Sequence, residues 1–502
     1  MIYFVNQYLM ALNSGVEHAE FKRLALFKNH HVPAKIVTRD FDVLLHQNMA
    51  HFGLVAADMV NLYDFFRGSE QFPERVLKLP DLNLAPAYNI DPGANVSHVR
   101  DGDQIIADVY FSPGTVGHLY YVNYFDAFTN IVQRTYYDAR GFKASDQFFS
   151  PAGEVIAELI YNLDGSRLFE RYYGHDDANN NQITAIRLLA YHGREWQFNS
   201  EDELMRFFLE ELNQRDAGTF IADRPLAADW PVINMQTAAR KFIFLPTTHA
   251  NDPQDQVFSN MNGAYVYAVH DNLAKLDGVI TATQQQQADL TRWLGGQPVR
   301  PVTAIPAAVV LDTTLKAKQV AADRRTTGKI IFVGRVDQTK RLNQLIEAFS
   351  QVHQRMNETT LEIHGYGAEI SSLQQQVAQL DLKDVVTFVP YHQDLAATYD
   401  QAQLFVYPAE SDGQSLALVE ALAHGVPVVS YDINYGPKEI ITDGDNGYLV
   451  PSGEVKALAS AMTKVLVNQK RWRQMSQNAY HSARKYSEAQ VWPLWQNLLE
   501  LN

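Results

Sequence analysis

The chain has 502 residues, more than a single hydrophobic core usually covers, so two or three domains are expected. Its net charge of −15 disfavours a general nucleic-acid binder and a protein held to anionic lipid by charge alone. It has no cysteine, which excludes disulfides and thiolate metal sites and suits a reducing compartment.

The first 70 residues have the pattern of an α/β unit. MIYFVN reads as a buried strand, Asn13-Ser14-Gly15 as a turn and VEHAEFKRLALFKNH as a helix before the strand AKIVT. The start lacks the basic region and cleavage site of a signal peptide. No uninterrupted apolar run reaches about 18 residues, so we expect no membrane span.

Residues 71–215 have a different composition, which is rich in Tyr and Phe. Gly141, Gly153 and Gly165 recur every twelve residues, each in a turn-like tetrapeptide between β-branched and aromatic segments. This spacing predicts an antiparallel meander. The helix WQFNSEDELMRFFLEELNQRD should follow it, with Ser200 or Asn199 as its cap.

From residue 216 the α/β pattern returns, and from 329 strands and helices alternate regularly. Repeated βα units predict parallel, doubly wound sheets, in which ligands bind beyond the carboxyl ends of the strands. The predicted plan is as follows: residues 1–70 and 216–305 form one α/β domain, 71–215 an insertion, 306–480 a second α/β domain, and 481–502 a helix that packs back on the body.

A cationic loop follows the predicted strand KIIFVG. Arg335 and Lys340 lie at the end of that strand, just before a helix, with Arg341 beside them. A guanidinium can bind two phosphate oxygens at once, and an ammonium adds a point charge, so this loop suits a diphosphate. The alternative is a solvated basic turn.

The helix SLALVEALAHG, which follows LFVYP, begins at a second candidate anion site. The backbone N–H groups of Gln414, Ser415 and Leu416 would lie at its N-terminus, where free amides and the helix dipole bind anions. Glu420, one to two turns further, could accept two ribose hydroxyls, and Asp412 could contact another hydroxylated group. Alternatively, Asp412 is a helix-start residue and Glu420 a partly buried surface acid.

Three other loops carry weaker signals. The Gly-Tyr-Gly turn at 365–367 allows close backbone approach, and Ser14-Gly15 opens the first helix towards the same anion. His249 lies in a polar loop after the strand KFIFLP, a position that suits a site histidine, although the chain has 16 histidines. The first turn is not GxGxxG and lacks the acid of a dinucleotide site, so NAD is not inferred.

Metal signatures are better explained by structure. Asp40-Phe-Asp42 and Asp101-Gly-Asp103 match a DxD pattern, but the second lies in a predicted hairpin turn, where Asp and Gly are common. The segment DGDNG at 443–447 resembles the start of a calcium loop and lacks its final acid. We therefore predict no metal site.

Together these loops resemble the retaining GT-B glycosyltransferases of family 4. The resemblance is carried by Gly334-Arg335 with Lys340, by HGYG at 364–367, and above all by DGQSLALVEALAHGVPVVSYDINYGPKEIITDGDNGYLVPSG, and it is clearest over residues 216–502. The early SGVEHAEFKR and the β-rich insertion are similar to a narrower group. That group comprises bacterial teichoic-acid α-glycosyltransferases of the TagE and TarM type and GtfA-like enzymes that glycosylate serine-rich adhesins.

The resemblance implies that UDP-glucose or UDP-N-acetylglucosamine binds between two Rossmann-like domains that face a cleft. The implied catalytic residues are Arg335 and Lys340 on the diphosphate, and Asp412 and His249 on the donor sugar. The implied donor-binding residues are Ser14, Gly15, Gly334, Gly365, Gly367, Tyr391, Gln414, Ser415, Leu416 and Glu420. The new bond would form with retention, because the departing phosphate can deprotonate the acceptor on the same face while the cations stabilise its charge. No metal or cofactor is then needed besides the UDP-sugar as co-substrate.

One position departs from the family pattern. The family pattern is an acid, seven residues and a glutamate. Its first acid is usually Glu, and here it is Asp412, whose side chain is one methylene shorter. We expect altered donor preference or reduced activity.

Several hypotheses about the whole protein follow. The first is an active enzyme whose acceptor is a teichoic-acid polymer, or Ser/Thr or a first sugar on a serine-rich protein. The alternative is a non-catalytic GT-B partner that docks an acceptor protein for another glycosyltransferase, and a nucleotide-dependent epimerase is a third. We expect a homo-oligomer formed through residues 71–215, or a hetero-partner, and a cytoplasmic location with peripheral contact at the inner membrane face.

Overall fold

The computed structural model describes residues 1–501 and contains sheets of seven, ten and six strands. Neighbouring strands are parallel in the first and third sheets. They are antiparallel in the ten-stranded sheet. The protein is therefore built from two α/β domains and an inserted antiparallel sheet.

The chain starts in the first α/β domain. All four residues of its first strand are buried, as expected for an apolar run inside a parallel sheet. The first helix begins after Ser14, whose amide and hydroxyl both donate to the Glu17 carboxylate in a capping box. The elements are β1 Ile2–Val5, α1 Gly15–Asn29, β2 Ala34–Thr38, α2 Leu45–His51, β3 Met59–Asn61 and α3 Leu62–Arg67.

The insertion is a meander in which every strand pairs with its neighbour in the chain. Gly141, Gly153 and Gly165 lie in consecutive hairpin turns at φ of +87°, +81° and +83°, which confirms the predicted meander. Its strands are β4 Asn89–Asp91, β5 Val96–Asp101, β6 Gln104–Phe111, β7 Leu119–Phe125, β8 Ile131–Asp138, β9 Phe142–Phe149, β10 Val155–Tyr161, β11 Arg167–His175, β12 Asn181–Tyr191 and β13 Arg194–Phe198.

The chain then returns to the sheet that it left. Strand order β17-β16-β15-β14-β1-β2-β3 places β14, the first strand after the insertion, directly beside β1. Ser200 caps the connecting helix by accepting from the Glu203 amide at 3.2 Å. The elements are α4 Glu201–Arg215, β14 Thr219–Ala222, α5 Asp229–Ile233, β15 Arg240–Leu245, α6 Gly263–Tyr265, β16 Gly278–Thr281, α7 Gln284–Trp293 and β17 Val302–Ala304.

The second α/β domain has the strand order β20-β19-β18-β21-β22-β23. The direction of winding reverses between β18 and β21, and such switch points are where open α/β sheets bind ligands. The elements are α8 Asp312–Leu315, β18 Lys329–Val333, α9 Leu342–His353, β19 Thr360–His364, α10 Ile370–Gln379, β20 Val386–Val389, α11 Ala396–Gln401, β21 Leu404–Tyr407, α12 Leu416–Ala423, β22 Val428–Asp432, α13 Pro437–Ile440, β23 Gly447–Pro451, α14 Val455–Leu466 and α15 Gln469–Ala483.

The last helix, α16 Glu488–Leu499, crosses back to the first α/β domain. Trp492 and Trp495 pack edge-on against Phe27 of α1, with ring centres 5.2 and 5.7 Å away. Both tryptophans belong to the same buried cluster as Phe4 of β1. The chain therefore passes between the two domains twice.

Candidate functional site

A cavity of about 680 Å³ lies between the two α/β domains. Its walls include loops that follow β1, β14, β18, β19 and β21, so both switch points face it. Most of the predicted site residues line it, namely Ser14, Gly15, Gly334, Arg335, Lys340, Gly365, Tyr391, Asp412, Gln414, Ser415, Leu416 and Glu420. His249 and Gly367 do not line it.

Arg335 follows β18 at the mouth of this cavity. Its side chain is 55% exposed and forms an ion pair with Asp337 at 3.3 Å. An exposed pair of this kind contributes little to stability, so the guanidinium is available to a ligand.

The Gly-Tyr-Gly turn after β19 packs tightly on the loop after β18. A Cβ atom on Gly365 would lie 1.9 Å from the carbonyl oxygen of Gly334, and one on Gly367 would lie 2.1 Å from that of Val336. Both distances are far below van der Waals contact, so only glycine fits at either position. Gly367 thus shapes the cavity wall from behind, whereas Gly365 also lines it.

Lys340 is held by two oxygens. Its Nζ donates to the Tyr407 hydroxyl at 2.7 Å and to Asp412 Oδ2 at 3.1 Å, and the Tyr407 hydroxyl also donates to Asp412. Burial alone would lower the pKa of Lys340, yet the Asp412 carboxylate holds that pKa above its ordinary value. The ammonium at this wall of the cavity is therefore charged. The sequence did not point to Tyr407, which ends β21.

The first turn of α12 lines the cavity, and two polar side chains at its start are bonded within the protein. Ser415 is the N-cap and accepts from the Leu418 amide at 3.4 Å. The Gln414 side chain accepts from the Ala308 amide at 2.9 Å, in the segment that connects the two domains. What this turn offers a ligand is its backbone amides and the positive end of the helix dipole.

Glu420 already has a partner from the other domain. Lys22 of α1 donates to one of its oxygens, and the Tyr399 hydroxyl donates to the other at 3.0 Å. Burial would raise the pKa of Glu420, but Lys22 and the Tyr399 hydroxyl together hold that pKa below its ordinary value. The predicted ribose-binding carboxylate is ionised and paired across the cleft.

A second contact from α1 crosses the cleft one turn earlier. His18 Nε2 lies 2.9 Å from the Tyr391 hydroxyl. Burial lowers the pKa of His18 and raises that of Tyr391 to about 12, so both groups are neutral near pH 7. His18 and Lys22 were missed from the sequence, although their spacing of four residues places them on one helix face.

The N-terminal wall of the cavity carries three cations, and each has a carboxylate partner. Lys22 pairs with Glu420, Arg23 with Asp223, and Arg224 with Glu17. Arg224 follows β14 at the N-terminal switch point, and its guanidinium also lies over the Tyr8 ring, 4.9 Å from the ring centre. This wall presents neutralised charges beside polar and aromatic groups.

His249 is fully buried behind the cavity. Its Nε2 donates to the backbone carbonyl of Gln256 at 3.0 Å, and its ring stacks near Tyr435. Burial lowers its pKa, so the ring is neutral near pH 7. The structure does not bring His249 to the other predicted site residues, and its contact with a donor sugar stays a prediction.

Acids of the first and third metal-like motifs have partners within the protein. Asp40 accepts from Arg39 at 3.0 Å, Asp42 from the Leu44 amide at 2.8 Å, and Asp445 from Asn478 at 2.6 Å. Asp101 and Asp103 flank the tight turn between β5 and β6. Within residues 1–501, no helix is both long and apolar enough to cross a membrane.

Comparison with known proteins identifies a matching family model and several relatives of this chain. Residues 315–482 match the family model described as glycosyl transferases group 1. The chain is 25% identical to the UDP-N-acetylglucosamine–peptide N-acetylglucosaminyltransferase GtfA subunit of Streptococcus gordonii, over 99% of this chain and 98% of that protein. It is 24% identical to the poly(ribitol-phosphate) alpha-N-acetylglucosaminyltransferase of Staphylococcus aureus, over 71% of each chain.

Solved structures match over nearly the full length. Pneumococcal O-GlcNAc transferase GtfA in complex with UDP and GlcNAc has a TM-score of 0.87 at 20% identity, covering 99% of this chain and 98% of that chain. A mutant of S. aureus TarM in complex with UDP has a TM-score of 0.82 at 21% identity, covering 99% of both. A GtfA/B complex has a TM-score of 0.79 at 23% identity, covering 100% and 99%. These matches confirm the predicted GT-B fold and the prediction of a glycosyltransferase.

Proposed function

Residues 315–482 form a glycosyl transferases group 1 domain, and on that premise we propose that the protein is a retaining hexosyltransferase that modifies protein hydroxyl groups with sugar from a UDP-sugar. This proposal rests on one observation, that groups from separate loops meet in the same cavity. Arg335, Lys340 and the first turn of α12 share one cavity, so a pyrophosphate there would meet two cations and free backbone amides together.

The geometry suggests how the groups would act. Arg335 and Lys340 would neutralise the diphosphate as the bond from its oxygen to the anomeric carbon breaks. A new bond would form from the acceptor oxygen to that carbon, and the acceptor proton would pass to the departing UDP. Glu420 would bind the ribose after Lys22 moves away, and Asp412 would contact the donor sugar.

UDP-N-acetylglucosamine is the first donor to test, with UDP-glucose as the second. The S. gordonii relative, which aligns with 99% of this chain, is a UDP-N-acetylglucosamine–peptide transferase subunit. Asp412, where the resembled family has Glu, also bears on the choice between these two donors. Its shorter side chain leaves more room beside the donor sugar.

The charge of the N-terminal wall supports a protein acceptor over a polyanionic polymer. A polymer of polyol phosphates needs unpaired cations along its path, since phosphates bind mainly by charge. Of the three cations that line this wall within residues 1–501, Arg23 and Arg224 are paired with carboxylates of their own domain, and Lys22 is paired with Glu420 until the donor binds. The net charge of −15 works in the same direction.

A docking partner without catalysis is the second candidate function, because one matching structure is a two-component GtfA/B complex. Against it, Arg335, Lys340 and Glu420 all line the cavity. The same complex supports a hetero-partner for this chain, and the exposed strand β4, at one edge of the inserted sheet, is a surface for self-association. A cytoplasmic location stays a prediction.

The deciding experiment measures UDP release from both UDP-sugars by the purified full-length chain. The acceptors are a serine-rich peptide, the same peptide carrying one N-acetylglucosamine, poly(ribitol phosphate) and poly(glycerol phosphate). We expect release with a peptide acceptor and formation of an α-linked product. Release with only the polymers would overturn the protein acceptor, and silence with all four would favour the docking partner.

A further inference from the structure

Asp412 does not hold Lys340 alone, because Tyr407 is bonded to both groups. The resembled family pattern has Glu at this position, and Asp is shorter by one carbon–carbon bond, or about 1.5 Å. In this structure the Asp412 carboxylate still reaches Lys340, and the Tyr407 hydroxyl lies between and beside the two groups.

Tyr407 is held rigidly in this position. It is 2% exposed, and its ring stacks on Phe332 and Phe405, with ring centres 6.2 and 6.4 Å away. Lys340 Nζ lies 5.1 Å from the ring centre and 2.7 Å from the hydroxyl, so the ammonium meets the hydroxyl end of the ring. A buried ring packed against two other rings holds its hydroxyl in a better defined place than an exposed side chain could.

Asp412 cannot hold Lys340 alone to the same degree. Its Oδ1 accepts from the Gly413 amide at 2.8 Å, which leaves Oδ2 for both Lys340 and Tyr407. The three groups therefore form a closed triangle in which each contacts the other two. Removing one corner would free the ammonium to leave the cavity wall.

We propose that Tyr407 is a positioning residue that compensates for the short Asp412 and holds the Lys340 ammonium where a diphosphate binds. The inference rests on the proposed function for the identity of that diphosphate. It goes beyond that function, because it assigns a role to a residue outside the family motif.

The test compares UDP with uridine, because only UDP carries the diphosphate. Tyr407→Phe removes one oxygen, and we expect the affinity for UDP in calorimetry to fall about 10- to 100-fold, the usual effect of losing a hydrogen bond to a charged group. The affinity for uridine should not change. Tyr431→Phe is the matched control, since Tyr431 is also a buried strand tyrosine and its hydroxyl bonds Gln344 at 2.6 Å outside the cavity.

Rescue separates positioning from simple packing. In the Tyr407→Phe background, Asp412→Glu should restore most of the UDP affinity, because the longer carboxylate reaches Lys340 through the space that the hydroxyl vacated. Alone, Asp412→Glu should weaken UDP binding by crowding Tyr407, so the two changes should be strongly non-additive. A double variant no better than Tyr407→Phe would overturn the proposal.

Three further outcomes are informative. If Tyr407→Phe does not fold, the single Asp412→Glu variant decides, and unchanged UDP affinity there overturns the triangle. If the wild-type protein binds UDP more tightly than uridine but transfers no sugar, the proposed function fails while the Tyr407 result can still be read. If wild-type protein binds both equally, the diphosphate site is wrong and the proposal fails with it.

Discussion

The two walls of the cleft handle charge in opposite ways. On the C-terminal wall, Arg335 is half exposed and weakly paired, although Lys340 beside it is paired with Asp412 at 3.1 Å. On the N-terminal wall, Arg23 and Arg224 are bound by carboxylates of their own domain. A cation that lines a cavity is therefore not by itself a ligand site. One wall offers charge to an anion, and the other offers a neutral polar surface.

The largest expected effect is on the wall that offers charge. Arg335→Ala should lower the rate of UDP release about 10²- to 10³-fold, because it removes charge stabilisation from the leaving group. The melting temperature should change little, since the side chain is 55% exposed. Arg341→Ala is the control, because that neighbouring cation pairs with Glu410 at 2.9 Å and does not line the cavity. Equal losses in the rate of UDP release in both variants would contradict the assignment of Arg335 to the leaving group.

The Lys22→Met variant tests whether the ion pair across the empty cleft weakens binding of the donor. Because Lys22 occupies Glu420 in the empty cleft, Lys22→Met should strengthen UDP binding by roughly three- to tenfold, the effect of removing a partly buried competitor. Lys28→Met on the same helix should leave the affinity unchanged, since Lys28 pairs with Asp58 at 2.8 Å away from the cavity. Weaker UDP binding in Lys22→Met would show that Lys22 contacts the donor itself.

A smaller effect concerns salt. If the N-terminal wall is neutral, the KM for a serine-rich peptide should change less than about twofold between low and physiological ionic strength. A KM that rises steeply with salt would mean that the wall attracts an anionic acceptor after all. UDP-sugar must be saturating, so that screening at the C-terminal wall does not enter the measurement.

The smallest effect on catalysis should come from a buried acid beneath the N-terminal wall. Asp229 is 3% exposed, and burial raises its pKa to about 7. Its stabilising contribution is full below the ordinary Asp pKa and is lost as pH rises through 7, because the folded protein must then hold a buried charge. Asp229→Asn should therefore raise the free energy of unfolding at pH 8 more than at pH 5, by up to a few kcal/mol.

Chemical denaturation at the two pH values checks this, with UDP release as the activity readout. The exposed Asp271 of the same domain, changed to Asn, is the reference variant. If Asp229→Asn raised the free energy of unfolding equally at pH 5 and pH 8, the raised pKa of Asp229 would not be the cause.

The sequence predicted the fold well because its signals are local. Apolar strands, a capped helix at Ser14 and the evenly spaced glycines at 141, 153 and 165 each report on neighbours within a few residues. The C-terminal wall was predicted for the same reason, because residues 334–340 and 412–420 are compact stretches at the ends of two strands.

The rest of the site depends on pairs that are distant in the chain. Lys22 and Glu420 are 398 residues apart, and no local pattern connects them. The prediction for His249 shows a different limit. A strand end fixes where a loop begins, but the backbone carbonyl of Gln256 decides which way the imidazole points.

Helix α16 has a consequence for biosynthesis. Trp492 and Trp495 complete a core whose other members include Phe4 and Phe27, near the opposite end of the chain. Since a ribosome makes those early segments first, part of their apolar surface stays uncovered while more than four hundred further residues are joined. A growing chain of this protein should thus expose that part of the core until helix α16 has been made and has packed against α1.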